Sequence, residues 1–189
     1  NRFAGGSPAT LNEKIKFIIS APSSFLYYDE NRYEYPNSWT QPTGCINYNN
    51  YKYGLDELNN YMSVASGDSI IARYHNRNIT YLVGELDYGG TTDCQSMVQG
   101  QNRLERSLTY YNYLQYYFGE QITNTHNIAI INDVSHNYDE IFNSACGRKT
   151  IFGHGHCEQI DNLTGPSAQF TLDATFGNYP LVANFTSNS

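Results

Sequence analysis

The chain has 189 residues, of which 40% are hydrophobic and 15% are charged, and its formal net charge is −7. This length and composition indicate one ordered domain with a sizeable core and argue against a disordered chain. The acidic balance also argues against a nucleic-acid partner, because no stripe of Lys and Arg is present to neutralise phosphates. No apolar run approaches the roughly 20 residues that a membrane span requires, so we expect no membrane span.

Cysteines and sequons favour a secreted protein in an oxidising compartment. Three Asn-x-Thr sequons are candidate glycosylation sites: Asn78, Asn162 and Asn184. The four cysteines allow three pairings. We expect Cys45 to pair with Cys94, and Cys146 with Cys157 because that pair closes a short local loop. The alternative is four reduced cysteines in a cytosolic protein.

The first third of the chain contains one clear strand and then a long irregular segment. Residues 15–20 form a short apolar run, rich in β-branched residues and stopped by Ala21-Pro22. Such a run is typical of a strand buried on both faces of a parallel sheet. Residues 27–62 are rich in Tyr, Asn and Pro and show no period. We expect a long excursion there with short helical turns, which in an enzyme would be a lid or a substrate-pocket insertion.

The middle of the chain alternates strands with helices. Residues 79–86 and 127–131 have the composition of two further buried strands. A helical region is expected to start at 94–101, and helices are expected at 103–118 and 138–146. The positions expected to be buried on these two helices are Leu104, Leu108, Tyr111, Leu114 and Phe118, and then Ile141 and Phe142. The alternation predicts an α/β fold with a mostly parallel sheet, flanking helices and right-handed crossovers. Three strands are too few for such a sheet, so something else must supply the rest.

The chain is expected to divide near residue 153. Residues 154–189 read as a loop-rich C-terminal extension that carries two of the three sequons and one short apolar segment, at 170–172. We expect no cofactor and no metal. His154, His156 and Cys157 could bind a soft metal, but no matched second pair of ligands occurs elsewhere.

Two titratable residues follow the second and third strands. Asp87 ends the strand over 79–86, and His136 comes shortly after the strand over 127–131. Side chains at the carboxyl ends of parallel strands converge outside the sheet. A strand-end Asp followed by a strand-end His is the chain order of acid and base in Ser…Asp…His hydrolases. In those roles Asp87 would orient the imidazole, and His136 would act as general base and then general acid.

Simpler interpretations exist for each of these residues. Asp87 would cap a loop, His136 would cap the next helix, and Asp93 is the alternative acid. No Gly-x-Ser-x-Gly elbow occurs, since Ser7 is followed by Pro8 and the serines after the first strand have no flanking glycine. We therefore expect the nucleophilic serine to lie outside this chain.

Several segments together resemble the C-terminal half of secreted serine-hydrolase-like proteins of the α/β-hydrolase superfamily, over residues 1 to about 153. The segments are Asn1-Arg2-Phe3-Ala4, Ser20 to Tyr27, Cys45 with Tyr51-Lys52-Tyr53-Gly54, Tyr81 to Asp87, Asp93-Cys94 with Gln99 to Arg103, His136 with Ser144 to Gly147, and Ile151-Phe152-Gly153. The resemblance implies an eight-stranded sheet of which this chain supplies the last three strands. It also implies that Asn1 to Ala4 lie in the helix directly after the nucleophile elbow.

The function implied by the resemblance is that of one part of a secreted serine hydrolase acting on a carboxylic ester. Its partners would be a small ester substrate and the N-terminal half of the same hydrolase domain, which would carry the serine and the oxyanion hole. The alternative is a non-catalytic hydrolase fold serving as an extracellular structural, adhesion or assembly subunit with extracellular partners, because a superfamily fold fixes no function by itself. A third interpretation is a carbohydrate-binding module lined by the tyrosines of residues 110–117. Their simpler role is packing against the sheet with the hydroxyls turned to water.

Overall fold

A computed structural model describes residues 15–154 and Cys157. The strands in this part of the chain are β1 (Lys16–Ser20), β2 (Arg32–Glu34), β3 (Ser38–Thr40), β4 (Asn78–Gly84) and β5 (His126–Ile131). The helices are α1 (Gly67–His75), α2 (Cys94–Met97), α3 (Arg103–Phe118), α4 (Tyr138–Asn143) and α5 (Ala145–Phe152), with 3-10 turns at Met62–Val64 and Glu120–Asn124.

The main sheet is parallel and has the order β1-β4-β5. Its central strand, β4, pairs Ile18 with Thr80 on one side and Ile128 with Tyr81 on the other. Helices cover both faces, so the α/β fold class predicted from the sequence is confirmed. Parallel neighbours require crossover connections, and the helical segments of the chain provide them.

Two separate cores lie on the two faces of the sheet, because successive residues of a strand point to opposite faces. On one face, Ile79, Tyr81 and Val83 of β4 pack against α3 and the segment around Tyr27. On the other face, Leu82 packs with three residues of β5, α4 and α5: Ile131, Ile141 and Cys146. Strand β4 is therefore buried on both faces.

The larger core is built from tyrosines, and their hydroxyls are bonded inside the protein. The Tyr113 hydroxyl accepts hydrogen bonds from the backbone N–H groups of Tyr28 and Asp29 at 2.8 and 3.1 Å, and Tyr110 donates to the carbonyl of Leu26 at 3.0 Å. Burial raises the pKa of both phenols well above the ordinary value. The expectation that the tyrosine hydroxyls of α3 face water is therefore wrong for Tyr110 and Tyr113.

The irregular segment over 27–62 contains an antiparallel hairpin, β2–β3, where the sequence predicted only short helical turns. Trp39 of this hairpin stacks on Tyr116 of α3, with ring centroids 4.9 Å apart. Tyr27, at the start of the range, is fully buried in the main core. The beginning of this segment is thus part of the sheet-packing layer.

Two helices, α4 and α5, occupy residues 138–152, where the sequence predicted a single helix over 138–146. The helix is interrupted at Ser144, where α4 ends and α5 begins. The Ser144 side chain caps α5 by accepting a hydrogen bond from the Gly147 N–H at 2.9 Å. A Cβ on Gly147 would lie 2.2 Å from the Ile141 carbonyl oxygen, so the two helices meet at this glycine. Ile141 is fully buried as expected, and Phe142 is partly buried.

The structure joins Cys45 to Cys94 and Cys146 to Cys157, the two pairings expected from the sequence. The first bond spans 49 residues and ties the irregular segment to the start of α2. In the chain-entropy account, closing a loop of that size contributes about 4 kcal/mol to stability. No helix within the described residues is long and apolar enough to cross a membrane.

Some sequence-based expectations lie outside the described residues. They are the helix at residues 1–4, the short apolar segment at 170–172, the sequons at Asn162 and Asn184, and the remainder of the C-terminal extension.

Candidate active site

Asp87 is held just past the carboxyl end of β4. Its backbone N–H donates to the Gly84 carbonyl at 3.1 Å, which turns the chain, and its own carbonyl accepts from the Leu104 N–H at 3.2 Å. The Asp87 side chain is 1% exposed. A carboxylate this deeply buried needs partners for both of its oxygens.

His136 lies in the loop between β5 and α4, beside Asp87. Its Nδ1 is 2.9 Å from Asp87 Oδ2, and its side chain is 52% exposed. A neighbouring backbone hydrogen bond, from Leu86 N–H to the Val134 carbonyl at 2.9 Å, joins the two strand-end loops. The two residues that sequence reasoning paired across 49 positions are therefore in direct contact.

Gly84 allows this close approach. A Cβ at this position would lie 2.2 Å from the Val134 carbonyl oxygen and 2.4 Å from that of Ser135. Any side chain at residue 84 would push the loop that carries His136 away from β4. The glycine therefore sets the distance between the loop of Asp87 and the loop of His136.

Arg103 hydrogen-bonds to the second oxygen of the Asp87 carboxylate. Its Nη1 lies 3.0 Å from Asp87 Oδ1, and its side chain is 19% exposed. Sequence reasoning gave Arg103 no role of its own. The only signal available was its position at the first residue of a predicted helix, which does not reveal a partner 16 residues earlier in the chain.

Asp93, the alternative acid, is used as a helix cap. Asp93 Oδ1 accepts from the Ser96 N–H at 2.9 Å and from the Tyr53 hydroxyl at 3.1 Å, and Oδ2 accepts from the Ser96 hydroxyl at 3.1 Å. Desolvation raises the pKa of Asp93, but hydrogen bonds from Ser96, Thr91 and Tyr53 outweigh it and lower the pKa below the ordinary value. These bonds hold the carboxylate at the start of α2, and its partners do not include His136.

The other candidate residues lie away from the Asp87–His136 pair. Asn78, of the first sequon, is the first residue of β4, pairs with Lys16 and is partly buried. Cys157 is disulfide-bonded, so its thiolate is not free to bind a metal beside His154. In the ranges that the structure describes, no group of three or more metal-binding side chains occurs.

Comparisons with known proteins support the fold. No family model matches the chain, and no curated protein matches it. Among solved structures, 76% of the chain aligns with TM-score 0.50 and 14% sequence identity. This likeness, together with the parallel sheet and its helices, shows a fold of the α/β-hydrolase type. The aligned structure is the crystal structure of LpqC, a poly(3-hydroxybutyrate) depolymerase from Bordetella parapertussis, and the chain spans 43% of that protein's length.

Proposed function

We propose that this chain is part of a secreted serine hydrolase that cleaves a carboxylic ester, with Asp87 as the acid and His136 as the base. The observation that carries the proposal is the 2.9 Å hydrogen bond between Asp87 Oδ2 and His136 Nδ1. The carboxylate is buried, whereas half of the imidazole is exposed. Asp87 thus holds the Nδ1 edge of the ring, and we expect the opposite edge, with Nε2, to be accessible to a reacting group.

The proposed mechanism follows from the direction of this hydrogen bond. An ionised Asp87 accepts from Nδ1–H, so the lone pair of the neutral imidazole is on Nε2. Nε2 takes the proton of an attacking serine hydroxyl while the serine oxygen bonds to the ester carbonyl carbon. The imidazolium then protonates the departing alkoxide, and a water molecule repeats the sequence to release the acid and free the serine. Throughout these steps Asp87 stabilises the imidazolium.

The nucleophile and the oxyanion hole are proposed to come from the N-terminal half of the same hydrolase domain. Within residues 15–154, no hydroxyl group hydrogen-bonds to His136. The alignment to 43% of a depolymerase chain supports a larger complete domain. Poly(3-hydroxybutyrate) is a polyester, which favours an ester over a peptide as the substrate class. The two disulfides are compatible with secretion.

The test compares Asp87→Asn, His136→Ala and Asp93→Asn in the full-length protein, with p-nitrophenyl acetate as substrate and a fluorophosphonate probe for the serine. Asp87→Asn is expected to lower kcat by about 10⁴-fold, because the amide favours the wrong imidazole tautomer. His136→Ala removes the base and is expected to be similarly inactive.

Asp93→Asn is the matched control, because it makes the same substitution at a carboxylate that caps α2. It is expected to cost at most about 1 kcal/mol of stability and to keep kcat. Full activity in Asp87→Asn and loss in Asp93→Asn would reverse the assignment. A wild-type protein that neither hydrolyses the ester nor reacts with the probe would favour a non-catalytic extracellular subunit.

A further inference from the structure

We propose that Arg103 is a positioning residue for the Asp87–His136 pair, fixing the carboxylate against the imidazole. The consequence for activity rests on the proposed function, whereas the structural role of Arg103 does not. Within the described residues the Arg103 side chain hydrogen-bonds to Asp87 and not to the imidazole, so its effect on His136 passes through Asp87.

The carboxylate of Asp87 is shared between two partners, one for each oxygen. Arg103 Nη1 lies 3.0 Å from Oδ1, and His136 Nδ1 lies 2.9 Å from Oδ2. Because each oxygen has its own partner, tilting the carboxylate plane breaks one or both contacts. Arg103 therefore fixes the carboxylate plane so that one oxygen faces the imidazole.

The backbone near Arg103 reinforces this clamp. The Arg103 N–H donates to the Gly89 carbonyl at 2.9 Å, and the next residue, Leu104, donates to the Asp87 carbonyl at 3.2 Å. A Cβ on Gly89 would lie 2.8 Å from Arg103 Nη1, so the guanidinium lies directly against the loop that carries the acid. The first turn of α3 thus holds this loop through both main chain and side chain.

Arg106, one turn further along α3, shows what a purely structural arginine does in this protein. Its guanidinium donates to the carbonyls of Gly100, Ser23 and Thr91 at 2.7, 3.0 and 2.7 Å. Arg103 donates to no carbonyl from its side chain within the described residues, and its buried Nε has no hydrogen-bond partner. Within the described residues, the side-chain hydrogen bond that Arg103 makes is to the Asp87 carboxylate.

The charge of Arg103 gives the clamp a second role. A buried carboxylate without a countercharge is unfavourable, because burial penalises the charged form. The Arg103 guanidinium supplies that countercharge 3.0 Å from Asp87 Oδ1.

The experiment uses Arg103→Met and Arg103→Lys in the full-length protein, with Arg73→Met as control. Arg73 is exposed on α1, and its side chain makes no hydrogen bond within the described residues. Three quantities are measured: kcat and KM for p-nitrophenyl acetate, and the low-field proton resonance of the His136 Nδ1–H.

Arg103→Met is expected to lower kcat by up to about 100-fold, the loss that follows from misplacing a reacting group by an ångström, and to change KM by less than about twofold. Its His136 Nδ1–H resonance is expected to move to higher field, because the hydrogen bond to Asp87 is less well aligned. Arg103→Lys keeps a positive charge that can reach Oδ1, so it should recover part of the lost kcat and part of the resonance shift. Arg73→Met should match the wild type in all three measurements.

The inference is overturned if Arg103→Met keeps the wild-type kcat and resonance, or if Arg103→Met and Arg103→Lys lose kcat equally with an unchanged resonance. If Arg103→Met does not fold, Arg103→Lys decides: a wild-type kcat and resonance overturn the inference, and a partial loss of kcat with a shifted resonance supports it. If the wild type has no activity that depends on Asp87 and His136, the proposed function fails. The low-field resonance still tests the clamp in that case, since a resonance unaltered in both folded variants would refute it.

Discussion

Replacing Gly84 by alanine is the sharpest single test of how the site is built. The added Cβ would lie 2.2 Å from the Val134 carbonyl oxygen, whereas ordinary van der Waals contact begins near 3.4 Å. The loop before His136 must therefore retreat by about 1.2 Å, the difference between these two distances.

This retreat has two separable effects. Overpacking costs about 1–3 kcal/mol, and stretching the 2.9 Å hydrogen bond from Leu86 N–H to Val134 O forfeits about 1 kcal/mol more. We expect the free energy of unfolding to fall by about 2–4 kcal/mol. Because His136 is two residues beyond Val134, we also expect kcat to fall by about 100-fold, the loss that follows from an ångström of misplacement.

The assays are urea denaturation followed by circular dichroism, and ester hydrolysis at a temperature where the variant is fully folded. Gly67→Ala is the matched control, because its Cβ would meet only Leu55 Cδ1, at 3.7 Å. Alanine at this first helical position should leave kcat unchanged and raise stability by about 0.4–1 kcal/mol. A Gly84→Ala variant with the stability and kcat of the wild type would refute the argument that this glycine sets the spacing of the pair.

Two further predictions concern the larger core. Desolvation, with a contribution from His75, lowers the pKa of His126 from 6.5 to about 4. The unfolded state takes up the proton first, so stability should fall by up to about 3 kcal/mol between pH 6.5 and 4. In urea titrations His126→Leu should flatten that fall, and an equally steep fall would contradict the assignment. Tyr113→Phe should cost about 1–3 kcal/mol in the same assay, because two backbone N–H groups lose their acceptor. The exposed Tyr116→Phe should cost less than about 0.5 kcal/mol, and equal losses in the two variants would exclude this explanation.

The elements with strong local periodicity were predictable from the sequence. The predicted helix over 103–118 has the bounds that the structure gives to α3, and the three strands of the sheet differ from their predicted ranges by only a few residues. Strand composition and helical spacing are local properties, so they can be read without knowledge of partners. The Asp87–His136 contact follows from the same information, because parallel strands end at one edge of the sheet.

The buried face of α3 was only partly predictable, because two of its positions are polar. Leu104 and Leu108 pack against the core as partly buried residues, whereas Arg106 and Ser107 are fully buried on the same helix. Arg106 is tolerated there because carbonyl groups brought in from other loops accept its hydrogen bonds. Hydropathy cannot reveal a buried arginine whose partner at Ser23 is 83 residues away.

Contacts over long separations also explain the remaining differences. The strands of the β2–β3 hairpin have only three residues each, too few for a clear alternating pattern, and the hairpin packs on α3 through the stack between Trp39 and Tyr116. Helix α1 was not predicted from the sequence; it has nine residues and none of them is fully buried. Ser144 divides the predicted helix over 138–146 because its hydroxyl caps the following helix. Serine is a preferred N-cap residue, but the apolar spacing over 138–146 continues through it and does not show the break.

Trp39 is the single tryptophan of a sequence with 18 tyrosines. Its indole stacks on Tyr116 and lies 5.6 Å from the ring of Tyr113, at the junction between the hairpin and α3. Excitation energy absorbed by the tyrosines flows to tryptophan, so fluorescence emission reports mainly on the docking of the hairpin. Near-ultraviolet circular dichroism, in contrast, reports on the packed tyrosines of the core. Coincident unfolding transitions in the two signals would identify the hairpin as part of one cooperative unit, and separate transitions would measure the free energy of hairpin undocking directly.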